Sequence, residues 1–345
     1  MDVIRVALAR PGFRACHTPP CRILRPAVLS PPELRVTPAI ELIGLEKSFG
    51  PKHAVRDLHL SVPRGALYGI IGPNGAGKST SLRMLLSILF PDRGEVRVLG
   101  FDSALKAKDR IGYLPEERGV YRKMKVVDFL LHMGVLKGLS RAEAKRRAQH
   151  WLERVGLPEV ARKRCEELSK GMQQKVQFIA ATIHEPELLI LDEPFSGLDP
   201  VNMRLLKSLI EAEHARGCTV LFSTHVMPQA ETMCDHIVMI HQGRKVLDDT
   251  LAGIRAGHQR NAIQLEPLRP AAEVPASVRA LPGVTGISAQ EGGYRIALAE
   301  GTDLPATLAA LAREWPPAKL EIVRPSLEDI FIDIVGTDLN GEQGA

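Results

Sequence analysis

A lysine set behind a glycine-rich turn carries the first chemistry in this chain. Residues Gly72 to Thr80 read GPNGAGKST, which has the form G-x-x-x-x-G-K-[ST]. An apolar run, Leu67 to Ile71, precedes it, and a helix-like run, Ser81 to Phe90, follows. A strand, a tight turn and a helix N-terminus together aim backbone N–H groups at a phosphate. Lys78 is then expected to reach the β- and γ-phosphates of a nucleoside triphosphate. The N–H groups of Asn74, Gly75, Ala76, Gly77, Lys78, Ser79 and Thr80 wrap them, with Pro73 in the same cradle. Gly72, Gly75 and Gly77 allow the close approach. The Ser79 hydroxyl is expected to ligate Mg²⁺. Farther along, LLILDEP (188–194) places Asp192 after four apolar strand residues, at the strand end where α/β sheets bind ligands. Asp192 is expected to hold the hydration shell of the Mg²⁺, and Glu193 to act as general base on the attacking water.

Two further motifs narrow the reading. LSKGMQQK (168–175) lies between the phosphate loop and LLILDEP, and STH (223–225) follows both. In that order the set resembles the ATP-binding cassette (ABC) family. The resemblance implies that His225 is the switch histidine bonded to the γ-phosphate. It also implies that Ser169 and Gly171 open a helix whose N-terminus meets ATP held by a second cassette, in a head-to-tail dimer. Lys170 and Met172 depart from the family's LSGGQ pattern. Ser196 to Asp199 resembles the loop that bridges the two sites, and Phe49 stands where the family stacks an aromatic on adenine. In IGYLPEERG (111–119) the family's usual glutamine is replaced by Glu116, whose carboxylate can still ligate a hard cation. ATP and Mg²⁺ are the cofactors implied.

The elements that must position these residues alternate. AIELIGLEKSF and HAVRDLHLSV read as half-buried strands; further strands are expected at 187–192, 218–223 and 236–240. Helical patterns occupy 126–165, 200–215 and 226–233, with Ser140 as an N-cap and Gly156 as a stop. Alternation of this kind predicts an α/β fold with a mostly parallel sheet covered on both faces. The resemblance makes it a P-loop NTPase cassette at 39–256, with antiparallel β and a helical subdomain at about 117–170. Residues 257–345 read β-α-β-β-α-β, as in a ferredoxin-like domain, and then PSLEDIFIDIVG. That ending resembles the closing helix of the ATPase subunits of sodium- and drug-extruding exporters. Residues 1–38 hold seven prolines and six arginines and are expected to be a disordered extension. An Arg-rich targeting segment and an early start codon stay open as alternatives.

Composition limits the function classes. At 345 residues and 45% hydrophobic the chain can bury more than one core. Five cysteines without a CxxC pair suggest neither a disulfide framework nor a zinc site. Net charge is +5 and aromatics are 4%, so nucleic acid is not expected as a partner. No run approaches the roughly 18 apolar residues that span a bilayer. A transport role therefore needs separate integral membrane permease subunits, with this chain peripheral on the cytoplasmic face. The expected function is the ATP-hydrolysing subunit of an exporter. The alternative is a soluble ABC ATPase acting on nucleic acid or ribosomes.

Overall fold

The computed structural model describes residues 37–117, 119–257, 262–269, 273–290, 292–299, 301–323 and 325–341, with side chains through Val335. Nearly all of the N-terminal extension lies outside these residues. The chain begins β1 (Ile40–Phe49), β2 (Lys52–Val62), β3 (Leu67–Ile71), α1 (Lys78–Leu85), β4 (Arg93–Val98) and β5 (Ile111–Leu114). Then come α2 (Val126–Leu136), α3 (Arg141–Arg154), α4 (Lys170–Thr182), β6 (Leu188–Asp192), α5 (Pro200–Ala215) and β7 (Thr219–Thr224). They are followed by α6 (Met227–Met233), β8 (His236–His241), β9 (Arg244–Thr250) and α7 (Leu251–Gly257).

The main sheet has the order β5-β6-β7-β3-β8-β9, parallel except for the β8–β9 hairpin. Every residue of β3, β6 and β7 is buried, which is why these strands are continuous apolar runs rather than alternating ones. One core, with Phe178, Leu191 and Phe222, lies under α2 to α6. A second, with Leu45, Tyr68 and Leu82, lies between the main sheet and the antiparallel sheet β2-β1-β4. Parallel strands share one C-terminal edge, so β5, β6, β7 and β3 deliver the segments after residues 114, 192, 224 and 71 side by side.

Several boundaries differ from the sequence expectation. Helix α1 spans Lys78–Leu85 instead of 81–90, because Ser87 turns left-handed (φ 58°) ahead of Pro91. The helical stretch 126–165 ends at Arg154, where Gly156 (φ 70°) breaks it, and only short 3₁₀ turns follow. Strands β4, β5 and β9 were not anticipated, since β5 has only four residues and β4 and β9 mix polar with apolar residues, which gives a weak period.

The C-terminal segment contains β10 (Ala262–Pro267), α8 (Ala276–Arg279), β11 (Val284–Gln290), β12 (Gly293–Leu298), α9 (Leu304–Glu314), β13 (Pro317–Val323) and α10 (Leu327–Gly341). Its antiparallel sheet has the order β11-β12-β10-β13, the arrangement that a split βαβ connection produces. Helix α8 is shorter than the helix expected from 272 to 280, and residues 270–272 lie outside the described set. Ile263, Leu265, Ile296, Leu311 and Trp315 form a separate small core. Helix α10 does not join it. Leu327 and Ile330 are buried in the core under α2 to α6, and the Phe331 ring meets His241 edge-on at 5.6 Å.

His184 gives the fold a pH signature. Its Nε2 bonds the Ile111 carbonyl at 3.1 Å, and its buried Nδ1 has no hydrogen-bond partner among the described residues. Burial, with Lys137 nearby, lowers its pKa from 6.5 to about 4. The unfolded chain therefore takes up this proton first as pH falls, and stability present above pH 6.5 is lost on the way to pH 4. Denaturant titrations of wild type and His184→Gln should differ in their loss between pH 7 and 5 by on the order of 1–2 kcal/mol. Parallel curves for the two proteins would contradict the burial argument.

Candidate nucleotide site

The turn from β3 to α1 forms a cleft lined by Phe49, Lys52, Ala54, Asn74, Gly75, Gly77, Lys78, Ser79, Thr80, Glu116 and Glu193, about 460 Å³ in volume. Two glycines are obligatory for backbone reasons. Gly72 has φ 155° and Gly77 φ 108°, and a Cβ on either would run into a carbonyl oxygen, Ile240 for the first and Ala54 for the second. Pro73 and Ala76 close the turn through an N–H···O bond of 3.2 Å.

Lys78 is only 5% exposed. Its Nζ donates to the Gly72 carbonyl at 2.7 Å and the Pro73 carbonyl at 3.2 Å, and lies 3.7 Å from Glu193 Oε1. Desolvation lowers its pKa, while Glu193, Asp192 and Glu116 pull in the opposite direction. Glu193 sits at φ 48°, a left-handed backbone rare for a side chain of its size. Its N–H donates to the Ser223 hydroxyl at 3.1 Å and lies 3.2 Å from the Ser223 carbonyl. Its Oε1 lies 3.0 Å from His225 Nδ1.

Asp192 collects two hydroxyl donors on one oxygen. Ser79 Oγ donates to Oδ1 at 3.2 Å, and Ser223 Oγ donates to the same atom at 2.5 Å. Ser223 thus joins Asp192 to the backbone of Glu193. Its part was missed in the sequence, although it begins the STH motif. Burial with Asp192 and Glu116 close by raises the Tyr113 hydroxyl to about 12.

Phe49 is half exposed on the cleft wall, available as a stacking face rather than packed in the core. Glu116 lines the same cleft. Ser79, Asp192 and Glu116 are all hard oxygen donors. Among the described residues no group of three or more His, Cys, Asp or Glu could hold an ion. A partial oxygen shell suits Mg²⁺, which retains waters and substrate phosphate oxygens in its coordination.

Ser169, Gly171 and Asp199 do not line this cleft. Ser169 caps α4, its hydroxyl accepting from Met172 N at 3.3 Å. Asp199 caps α5, accepting from the N–H groups of Val201 and Asn202 at 3.0 Å each. Asn202 Nδ2 also donates to Asp199 Oδ2 at 2.5 Å and lies 3.0 Å from where a Cβ on Gly171 would be. The two caps therefore form one exposed surface apart from the lysine.

Comparisons with known proteins agree with the geometry. The family model "ABC transporter" matches residues 55–196, and the model "ATP-binding protein DrrA1-3-like, C-terminal domain" matches 250–335. An uncharacterized ABC transporter ATP-binding protein of Alkalihalophilus pseudofirmus is 41% identical over 78% of this chain and 99% of its own length. The daunorubicin resistance ATP-binding protein DrrA3 of Streptomyces coeruleorubidus is 33% identical over 89% of this chain and 99% of its own. A solved structure of the ATP-binding subunit of an ABC transporter superposes with a TM-score of 0.59 at 33% identity, covering 64% of this chain and 92% of that one.

Ser223→Ala removes the hydroxyl between the two carboxylate positions. It should lower the unfolding free energy by about 1–3 kcal/mol, because Asp192 and the Glu193 N–H each lose a buried partner. Urea denaturation measures this, and an unchanged midpoint would show that the bridge carries no stability.

Proposed function

The chain belongs to the ABC transporter ATP-binding family, and from that premise we propose that it hydrolyses ATP to power export through a separate membrane permease. One observation carries the reading: Lys78 reaches Glu193 at 3.7 Å, Glu193 reaches His225 at 3.0 Å, and Ser79 reaches Asp192 at 3.2 Å. These contacts support the reading because they bring together the residues it assigns as phosphate cation, base, γ-phosphate partner and metal donors.

In this reading the phosphates lie along the N–H groups of residues 74–80, and Lys78 turns from the Gly72 carbonyl to the β- and γ-oxygens. Phe49 stacks on adenine. Ser79, Asp192 and Glu116 would hold Mg²⁺, which would neutralise charge on the phosphates. Glu193 accepts the proton of the attacking water, and His225 orients Glu193 and contacts the γ-phosphate. The N-terminus of α4, with Ser169 and Gly171, meets the γ-phosphate held by a second copy, and the surface near Asp199 lies across that interface. Closure with two ATP and reopening after hydrolysis drive the cycle.

No helix among the described residues is long and apolar enough to cross a membrane. The permease is therefore proposed as a separate chain, with this one peripheral on the cytoplasmic side. Ile88, Phe90, Leu105, Tyr121 and Leu136 are exposed apolar residues on segments before and after Glu116, and supply a surface for that partner. The Ser87–Ser103 hydroxyl contact and the Lys137 bonds to the Lys108 and Ile111 carbonyls join the segments that bear Ile88, Phe90, Leu105 and Leu136. The transport direction rests on the C-terminal match to drug-resistance proteins. Residues 257–345 are proposed as an accessory domain that docks or regulates.

Glu193→Gln should retain ATP binding, slow hydrolysis by about 10²–10⁴-fold, and accumulate a dimer with ATP and Mg²⁺. Light scattering after size exclusion reads the dimer; a monomeric variant with wild-type turnover would refute Glu193 as base. Glu116→Gln should keep hydrolysis, since the amide oxygen still reaches the ion, whereas Glu116→Ala should uncouple ATPase activity from the permease. ATPase curves against Mg²⁺, with and without the permease, separate these outcomes, and three identical curves would remove both roles of Glu116.

A further inference from the structure

Two glutamines on α4 have no part in the site as described. Gln174 and Gln177 stand three residues apart and so share a face of the helix. Both are buried, 3% and 5% exposed. Gln174 Nε2 donates to the Pro194 carbonyl at 3.0 Å, and Gln177 Nε2 donates to the Glu117 carbonyl at 3.3 Å. Each acceptor lies one residue past a carboxylate of the cleft, Glu193 in the first case and Glu116 in the second. One helix face therefore holds both carboxylate-bearing loops by their backbones.

The two grips are not equal. Gln174 makes an ordinary hydrogen bond. That of Gln177 is long, and its Oε1 is buried with no hydrogen-bond partner among the described residues. A buried amide normally uses both its donor and its acceptor. The loop passes close by, since a Cβ on Gly119 would lie 3.7 Å from Gln177 Nε2. Gln174 thus holds its loop by the shorter bond and Gln177 by the longer one.

The N-terminus of α4 bears Ser169 and Gly171, and the same continuous 13-residue helix carries Gln174 and Gln177 one and two turns further on. We infer that Gln174 and Gln177 are positioning residues, linking the end of α4 that meets the opposing copy's nucleotide to the loops carrying Glu193 and Glu116. Closure of one composite site then sets the carboxylates of the other. The inference rests on the head-to-tail dimer proposed above.

The test uses the full chain with Gln174→Met, Gln177→Met and Gln177→Glu. Methionine keeps length and packing but cannot donate; glutamate keeps the size but turns oxygen toward the Glu117 carbonyl, so a Met variant that fails to fold does not end the test. The experiment reads Kd for a fluorescent ATP analogue, ATP-driven dimerisation in a Glu193→Gln background, kcat with the Hill coefficient of hydrolysis, and the thermal midpoint. Kd should stay within about twofold and the dimer should form, while the Hill coefficient drops from near 2 toward 1 and kcat falls about tenfold. Wild-type Hill coefficient and kcat in the variants would overturn the inference. So would Kd and thermal midpoint declining in step with kcat, the pattern of simple destabilisation. A parent protein that stays monomeric with ATP and Mg²⁺ and shows a Hill coefficient of 1 refutes the dimer reading instead, and the inference falls with it.

Discussion

The site depends on one buried cation held between carboxylates. Lys78 is almost fully removed from water, and an isolated ammonium in that setting is strongly disfavoured. It persists because the Gly72 and Pro73 carbonyls accept its protons and Glu193 and Asp192 supply opposite charge. The opposing carboxylates in turn need fixed places. Ser223 supplies these by donating to Asp192 and accepting from the Glu193 N–H, which holds Glu193 in a left-handed backbone. All of this requires β3, β6 and β7 to end at the same level, which the parallel register of the main sheet imposes.

What could be read from the sequence was contiguous. The phosphate loop, Asp192-Glu193 and His225 each occupy short motifs whose neighbours state their context, and the structure brings Lys78, Ser79, Asp192, Glu193 and His225 together. Phe49 and Glu116 were expected by position and line the same cleft. What could not be read depends on contacts far apart in the chain. Ser223 acts through Asp192, 31 residues away, and Gln177 through Glu117, 60 residues away. A serine in a strand or a glutamine in a helix carries no local sign of such a partner.

The fold shows the same division. Fully buried apolar strands and the β-α-β-β-α-β order were legible from pattern, while β5 was too short to register and β4 and β9 mix polar with apolar residues. The closing segment PSLEDIFIDIVG was recognised as a terminal helix, but its packing was not evident. Leu327 and Ile330 fill the cassette's core rather than that of the adjoining sheet, and the Glu231 carboxylate accepts from the Leu327 N–H. An amphipathic pattern specifies which face is buried, not which neighbour covers it. This helix thus ties the C-terminal segment to α6, which follows directly after His225.

The central claim is that the cleft of one copy is completed by the α4 N-terminus of another. Ser169 and Gly171 do not line the Lys78 cleft of a single chain, so the proposed composite site takes them from a second copy. The most direct measurement is an experimental structure of the full chain carrying Glu193→Gln, determined with ATP and Mg²⁺. The account predicts two nucleotides at a head-to-tail interface, each touched by Lys78 of one copy and by Ser169 and Gly171 of the other. ATP bound at Lys78 in a lone chain, or in a dimer whose Ser169 faces solvent, would contradict it.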